Sequence, residues 1–146
     1  MSYSIGQVAE MYKLPVSTVR YYDKMGLFPG LKRESGFRRF SNVDVQALNL
    51  IDCLKKSGLS ITDIKDFMDL TTKGPSTFEE RRELFIEQEA TVEKELAEIK
   101  KVQAMLQFKH WYYDEAIKLG NEEAVQAMIP DQLPKEIRAA YQLSHN

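Results

Sequence analysis

Between Ser76 and Lys118 the chain contains neither glycine nor proline, and Phe78, Phe85, Val92, Ile99, Leu106 and Tyr113 recur within it at intervals of seven. Such a run has no residue at which to turn back, and an apolar period of seven is that of a helix supercoiling against a partner. At 1.5 Å per residue, about 42 residues make a rod of about 63 Å, too long to stand alone in water. A second seam carries Leu96 and Ile117 but also Glu89, Gln103 and His110. Polar residues at such positions select partner and register rather than adding stability. Phe85, Val92, Leu96, Ile99, Leu106 and Tyr113 are therefore the expected dimerisation residues.

Upstream of the rod the pattern is different. Ser4 can cap a first helix whose apolar positions Ile5, Val8, Ala9 and Tyr12 keep three-four spacing, and Leu14-Pro15 makes a turn. Val16 and Val19 share one side of a second helix, with Ser17, Arg20, Tyr21 and Lys24 on the other, a polar side suited to phosphate. Met25-Gly26 closes it, Pro29-Gly30 starts a turn, and Ser35-Gly36 separates two short runs, Phe28 to Lys32 and Phe37 to Phe40, which predicts a hairpin. Helices followed by an arginine-tipped hairpin make a winged helix-turn-helix, whose second helix enters the DNA major groove. Ser17, Thr18, Arg20 and Tyr21 are the expected DNA-facing residues. One tyrosine of the pair Tyr21 and Tyr22 can instead be a packing residue, and spacing puts Tyr22 with Val19 on the core side. Asp23 is the helical carboxylate within reach of Arg20. Arg38 and Arg39 alternate along a strand, so they point to opposite faces.

A third helix is predicted from Ser41, with Asp44 completing a capping box, to Lys56 before Gly58. A fourth starts at Ser60 with Asp63 in the same relation and Leu59 stapled to Ile64. Ile64, Phe67, Met68 and Thr71 form its apolar stripe, so both helices should complete the core of the head. Lys55 and Lys56 are either a second DNA contact or a solvated helix end. Gly74-Pro75 breaks the chain, and Ser76 to Glu79 reads as a third capping box. Beyond Gly120 only short helices fit, around Glu122 to Met128 and Pro134 to Gln142. Trp111, Tyr112 and Tyr113 either line a ligand pocket or lie beneath this tail. The expected divisions are a DNA-binding head over 1–74, a dimerisation helix over 76–119 and a helical tail over 120–146.

The net charge of −2 hides an uneven distribution. Residues 1–41 hold seven basic against three acidic side chains, giving +4, and residues 76–146 hold nine against fourteen, giving −5. A basic head on an acidic stalk suits nucleic-acid binding by the head. Cys53 is the single cysteine, so no intrachain disulfide can form, in keeping with a reducing compartment. No stretch approaches a membrane span and the amino terminus lacks a basic start and an apolar run, so a cytoplasmic protein is expected. His110 and His145 lie far apart, and no phosphate loop, carboxylate pair or nucleophile elbow is present. The expectation is a protein that is not an enzyme and that carries no cofactor and no metal.

Several separated blocks then fall in one order: Tyr3-Ser4-Ile5-Gly6-Gln7-Val8-Ala9, Arg20-Tyr21-Tyr22-Asp23, Gly26-Leu27, Arg33-Glu34-Ser35-Gly36-Phe37-Arg38 and Gly58-Leu59-Ser60. They resemble the amino-terminal domain of the MerR family of bacterial transcription regulators, over roughly the first half of the chain. The resemblance implies a mainly α protein, with a winged helix-turn-helix head, a long dimerisation helix paired as an antiparallel coiled coil, and short C-terminal helices. It implies a homodimer on double-stranded DNA, bound to an inverted repeat inside a promoter whose elements are spaced too widely. Bending and untwisting that DNA brings the elements into line, so RNA polymerase is served indirectly. In the wing it favours Arg38 on the phosphate backbone, with Arg33 and Arg39 as further contacts.

Within that family the metal sensors hold soft metals with cysteines at the start of the coil and after it, and this chain has no cysteine beyond Cys53. The multidrug-binding members carry a much larger carboxy-terminal domain. Cys53 ahead of Gly58-Leu59-Ser60 and a short coil is similar to the branch responding to aldehydes, other reactive carbonyls or nitrosative stress. Such sensing needs a reachable thiolate. Lys56 would favour one, while the nearby helix carboxyl end disfavours it. Cys53 is thus either an effector-sensing thiol or a small buried residue of the third helix. Two alternatives stand beside a stress-responsive regulator: a MerR-type regulator answering a reversible ligand near the coil end, and a coiled-coil interaction protein without DNA specificity.

Overall fold

The computed structural model describes residues 1–146. The chain gathers into two compact units, Met1–Ala90 and Thr91–Asn146, and the long helix contributes to both.

In the first unit, Ser4 accepts from the Gln7 amide while the Gln7 side chain accepts from the Ser4 amide, a reciprocal cap that starts α1 (Ile5–Met11). After Pro15, α2 (Val16–Lys24) turns Val19 and Tyr22 into the core and leaves Arg20 and Tyr21 outside, as the spacing predicts. Beyond Gly26, Leu27 and Phe28 return to the core, with the Phe28 ring edge-on to Phe40 at 5.4 Å. The hairpin is β2 (Lys32–Glu34) and β3 (Phe37–Ser41), in the register Arg33 opposite Arg38 and Glu34 opposite Phe37. Its two-residue turn is Ser35 at φ 50 and Gly36 at φ 82, the left-handed pair that matches strand twist. The first strand begins four residues later than the run from Phe28 suggests, because Phe28 serves the core instead. A further strand, β1 (Ser2–Tyr3), pairs antiparallel with β3, so the wing belongs to a three-stranded sheet ordered β1-β3-β2.

Reciprocal capping by Ser41 and Asp44 starts α3 (Asn42–Lys56), and Ser60 caps α4 (Ile61–Thr71). Leu48, Ile51 and Ile64 are fully buried with Val8, Val19, Leu27 and Phe40, each contributing roughly 1.5–3 kcal/mol. Helix α5 (Phe78–Leu119) joins this core at its start, through Leu84 and through Phe85, whose ring lies edge-on to Phe67 at 5.2 Å. The predicted capping box at Ser76 is replaced by a single 3₁₀ turn over Pro75–Thr77. Thr77 is buried there, its Oγ1 2.9 Å from the carbonyl oxygens of both Leu70 and Gly74, and it accepts from Arg81 Nε. The free carbonyls at the end of α4 recruit that hydroxyl backwards, so it does not cap forwards. Gln88 donates to the Ser57 carbonyl at 2.6 Å, tying α5 to the end of α3.

In the second unit, Gly120 at φ 75 ends α5 and Asn121 caps α6 (Glu122–Gln126), which α7 (Lys135–Ser144) follows. Ala104, Phe108 and Tyr112, four apart on α5, are buried with Val125, Leu133 and Ala140 of the tail, and the Phe108 ring meets Tyr141 at 5.1 Å. Val92, Leu96, Ile99, Leu106 and Tyr113 remain exposed by 43–65%. No helix is long and apolar enough to cross a membrane.

Candidate nucleic-acid interface

The polar side of α2 and the wing enclose a concavity of about 370 Å³, whose lining includes Ser4, Arg20, Phe37, Arg38 and Arg39. The sequence fold places them there for local reasons. Helical period puts Arg20 opposite Val19, and the left-handed turn at Ser35-Gly36 brings Phe37 to the wing tip with the two arginines behind it. Arg20 has no ion pair and Ser17 is exposed, while Thr18 is half-buried and Tyr21 is 48% exposed. Phe37, at 75% exposure, was not marked by any apolar period, since a wing tip has none.

The three wing arginines are held differently. Arg38 Nε donates to Asp23 Oδ2 at 2.7 Å, and both side chains are more than four-fifths buried. Arg33 is exposed, with Nη1 3.4 Å from the Gly36 carbonyl and Nη2 3.9 Å from the same Asp23 oxygen. Asp23 therefore pairs across to the wing and not along the helix to Arg20. Arg39 turns the other way, as strand alternation requires, and donates through Nη2 to Ser2 Oγ at 2.7 Å. Its buried Nε lacks a hydrogen-bond partner, because Glu34 stands 3.6 Å away, an ion-pair distance too long for a hydrogen bond. Asp23 and Ser2 are thus members of the site that no local spacing could reveal, their partners lying 15 and 37 residues along the chain.

Cys53 is exposed on α3 in the single chain. Lys56 pairs with Asp52 at 2.9 Å, and that hydrogen bond first, then the Asp52 charge, raises the Lys56 pKa. The lysine expected to sit by the thiol thus makes its hydrogen bond one residue away, with Cys53 a smaller electrostatic neighbour. The Cys53 carbonyl accepts from the Ser57 amide, whose own carbonyl receives Gln88. At the other candidate, Tyr112 is buried, hydrogen-bonded to Glu122 and Gln126, while Trp111 is half-buried and Tyr113 is 55% exposed. The Tyr113 ring stands edge-on to Tyr112 at 5.0 Å, and the tail binds the Tyr112 hydroxyl. No cluster of three or more His, Cys, Asp or Glu side chains is placed to hold a metal.

Residues 3–71 match the model of the MerR HTH family regulatory proteins and residues 45–108 that of MerR, DNA binding. An HTH-type transcriptional regulator of Haemophilus influenzae is 41% identical over 126 residues, covering 86% of this chain and 93% of the relative. The chain belongs to the MerR family. MerR proteins are DNA-binding transcription regulators and not enzymes. The crystal structure of HiNmlR, a MerR family regulator lacking the sensor domain and bound to promoter DNA, superposes with a TM-score of 0.68 at 40% identity, covering 85% of this chain and 99% of that one. The HTH-type transcriptional regulator AdhR of Bacillus subtilis is 35% identical over 86 residues, 58% of this chain and 61% of the relative. The winged head followed by a long helix is the MerR architecture.

Proposed function

We propose that this MerR regulator binds a promoter inverted repeat as a homodimer and switches transcription by distorting the DNA, in response to an electrophile that modifies Cys53. Residues 1–74 act as the DNA-binding head, 76–119 as the dimerisation helix and 120–146 as a tail that covers the end of the coil. The observation that carries the reading is the groove lined by Arg20, Arg38 and Arg39 beside the exposed face of α2. Arginines that bind phosphate set affinity and register, and short polar residues on the helix, Ser17 and Thr18, read bases. Arg33 and Tyr21 flank them. A homologue bound to promoter DNA supports the partner. The apolar column left exposed on α5 supports the dimer, and two-fold symmetry explains why an inverted repeat is the matching site. Polymerase then responds to the altered promoter geometry without being touched.

Exposure of Cys53 supports the sensing step, since an electrophile must reach the sulfur. An adduct there lies one helical turn from Ser57, whose carbonyl is held by Gln88 of α5, so strain at the thiol has a bonded route into the dimerisation helix. Sequencing the duplexes retained by the purified protein from a random pool tests DNA recognition, and an enriched inverted repeat is expected. Cys53→Ser should bind that duplex with near-normal affinity and lose the transcriptional response to an aldehyde in vitro. A normal response by that variant would remove Cys53 from the sensing role.

A further inference from the structure

We propose that Asp23 is a positioning residue for DNA binding, an acid on the DNA-facing head that strengthens binding by holding Arg38 in place. The inference rests on the DNA-binding reading above and adds to it a residue of unexpected sign. A carboxylate in the last turn of α2 sits where the helix dipole disfavours an anion, on an element that faces phosphate. Both effects argue for its absence. Its compensation is the bond from Arg38 Nε at 2.7 Å, made between side chains that are only 16% and 19% exposed and so shielded from competing water. Arg33 approaches the same oxygen at 3.9 Å. The bond joins α2 to β3 and leaves the two terminal amino groups of Arg38 without a hydrogen-bond partner, in a side chain that still lines the groove with Arg20. A guanidinium fixed by its Nε edge has lost its rotamer freedom before DNA arrives, so phosphate receives an ordered donor pair. The same bond sets the wing at a constant distance from the recognition helix.

The test uses the full chain and two probes, a mixed-sequence duplex and the duplex that the wild-type protein selects from a random pool. If Asp23 were only a nearby negative charge, Asp23→Asn would tighten binding and steepen its salt dependence, because one repulsive charge is gone. Positioning predicts the opposite: Asp23→Asn weakens binding to both duplexes roughly tenfold, the size of one charge-assisted hydrogen bond. In an Arg38→Ala background the same substitution should produce no further weakening. Tighter or unchanged binding by Asp23→Asn overturns the proposal, and so does equal weakening in both backgrounds, which marks a general structural role. A wild-type protein that binds neither duplex at low salt would instead defeat the DNA-binding reading, so the two failures are distinct.

Discussion

Val92→Asp with Ile99→Asp should convert a dimer into monomers. In the single chain Val92 is 43% and Ile99 65% exposed, although both lie in the apolar column of α5. Burying only those exposed fractions contributes about 1 kcal/mol at Val92 and about 1.5 kcal/mol at Ile99. Two-fold pairing counts each residue twice, so the two positions together contribute about 5 kcal/mol, or about 3.5 decades in the dimer dissociation constant. Aspartate adds the cost of desolvating four carboxylates, which pushes the shift further in the same direction. Light scattering at micromolar concentration should give the dimer mass for the wild type and the monomer mass for the double variant, with circular dichroism reporting a folded head in both. Operator binding should fall in parallel, because each head loses its two-fold partner. A monomeric wild type, or a double variant that stays dimeric, refutes the assignment of this column to the interface.

Arg20→Ala and Arg38→Ala should each weaken binding to every duplex and make the slope of log affinity against log salt shallower by about 1, whereas changes at Ser17 or Thr18 should alter sequence preference. An unchanged slope in Arg20→Ala takes that residue out of the interface. Gly58 sits at φ +96 with an ideal Cβ 2.9 Å from Gln88 Nε2, so Gly58→Ala should destabilise the head by about 1–2 kcal/mol in denaturant melts. Adding Gln88→Ala should recover the contact part of that loss, and strict additivity would contradict the contact. Burial, and then the Asp52 carboxylate, raise the Tyr22 phenol above its ordinary 10.0. On alkalinisation the unfolded chain releases that proton first and so binds fewer protons than the folded one, and stability falls as pH rises from about 10 through the folded value. Tyr22→Phe should make the melting temperature fall less steeply over that window, and equal slopes would refute the assignment.

Most of the head was legible because its helices announce themselves locally. Ser4 and Ser41 each stand three residues before a side chain that answers them, Ser60 accepts from the Asp63 amide without the reciprocal bond expected of Asp63, and Ser35-Gly36 has the turn chemistry a tight hairpin demands. What escaped the sequence was decided at a distance. Strand β1 is two residues long and has no period to detect, and it exists because β3 offers an edge. The capping box expected from Ser76 to Glu79 is not formed, and the neighbouring Thr77 hydroxyl answers carbonyls that end the preceding helix. Asp23 looked like a neighbour of Arg20 until the wing folded over it. Lys56 does feel Cys53 three residues back, but its hydrogen bond goes to Asp52 at i−4, which spacing from the thiol alone does not reveal.

The turn of the wing has a bearing on how such a head can diverge. Ser35 and Gly36 both occupy left-handed backbone, and the pairing of Arg33 with Arg38 follows from a loop of that length. One inserted residue would shift the register by one and exchange the faces of Arg38 and Arg39, parting Arg38 from Asp23 and Arg39 from Ser2 together. Substitutions at the tip carry no such penalty, provided the left-handed positions stay glycine, asparagine or a small polar residue. Descendants of this chain can therefore explore new DNA contacts by changing the identity of wing residues, while the length of the wing stays fixed by a two-residue loop.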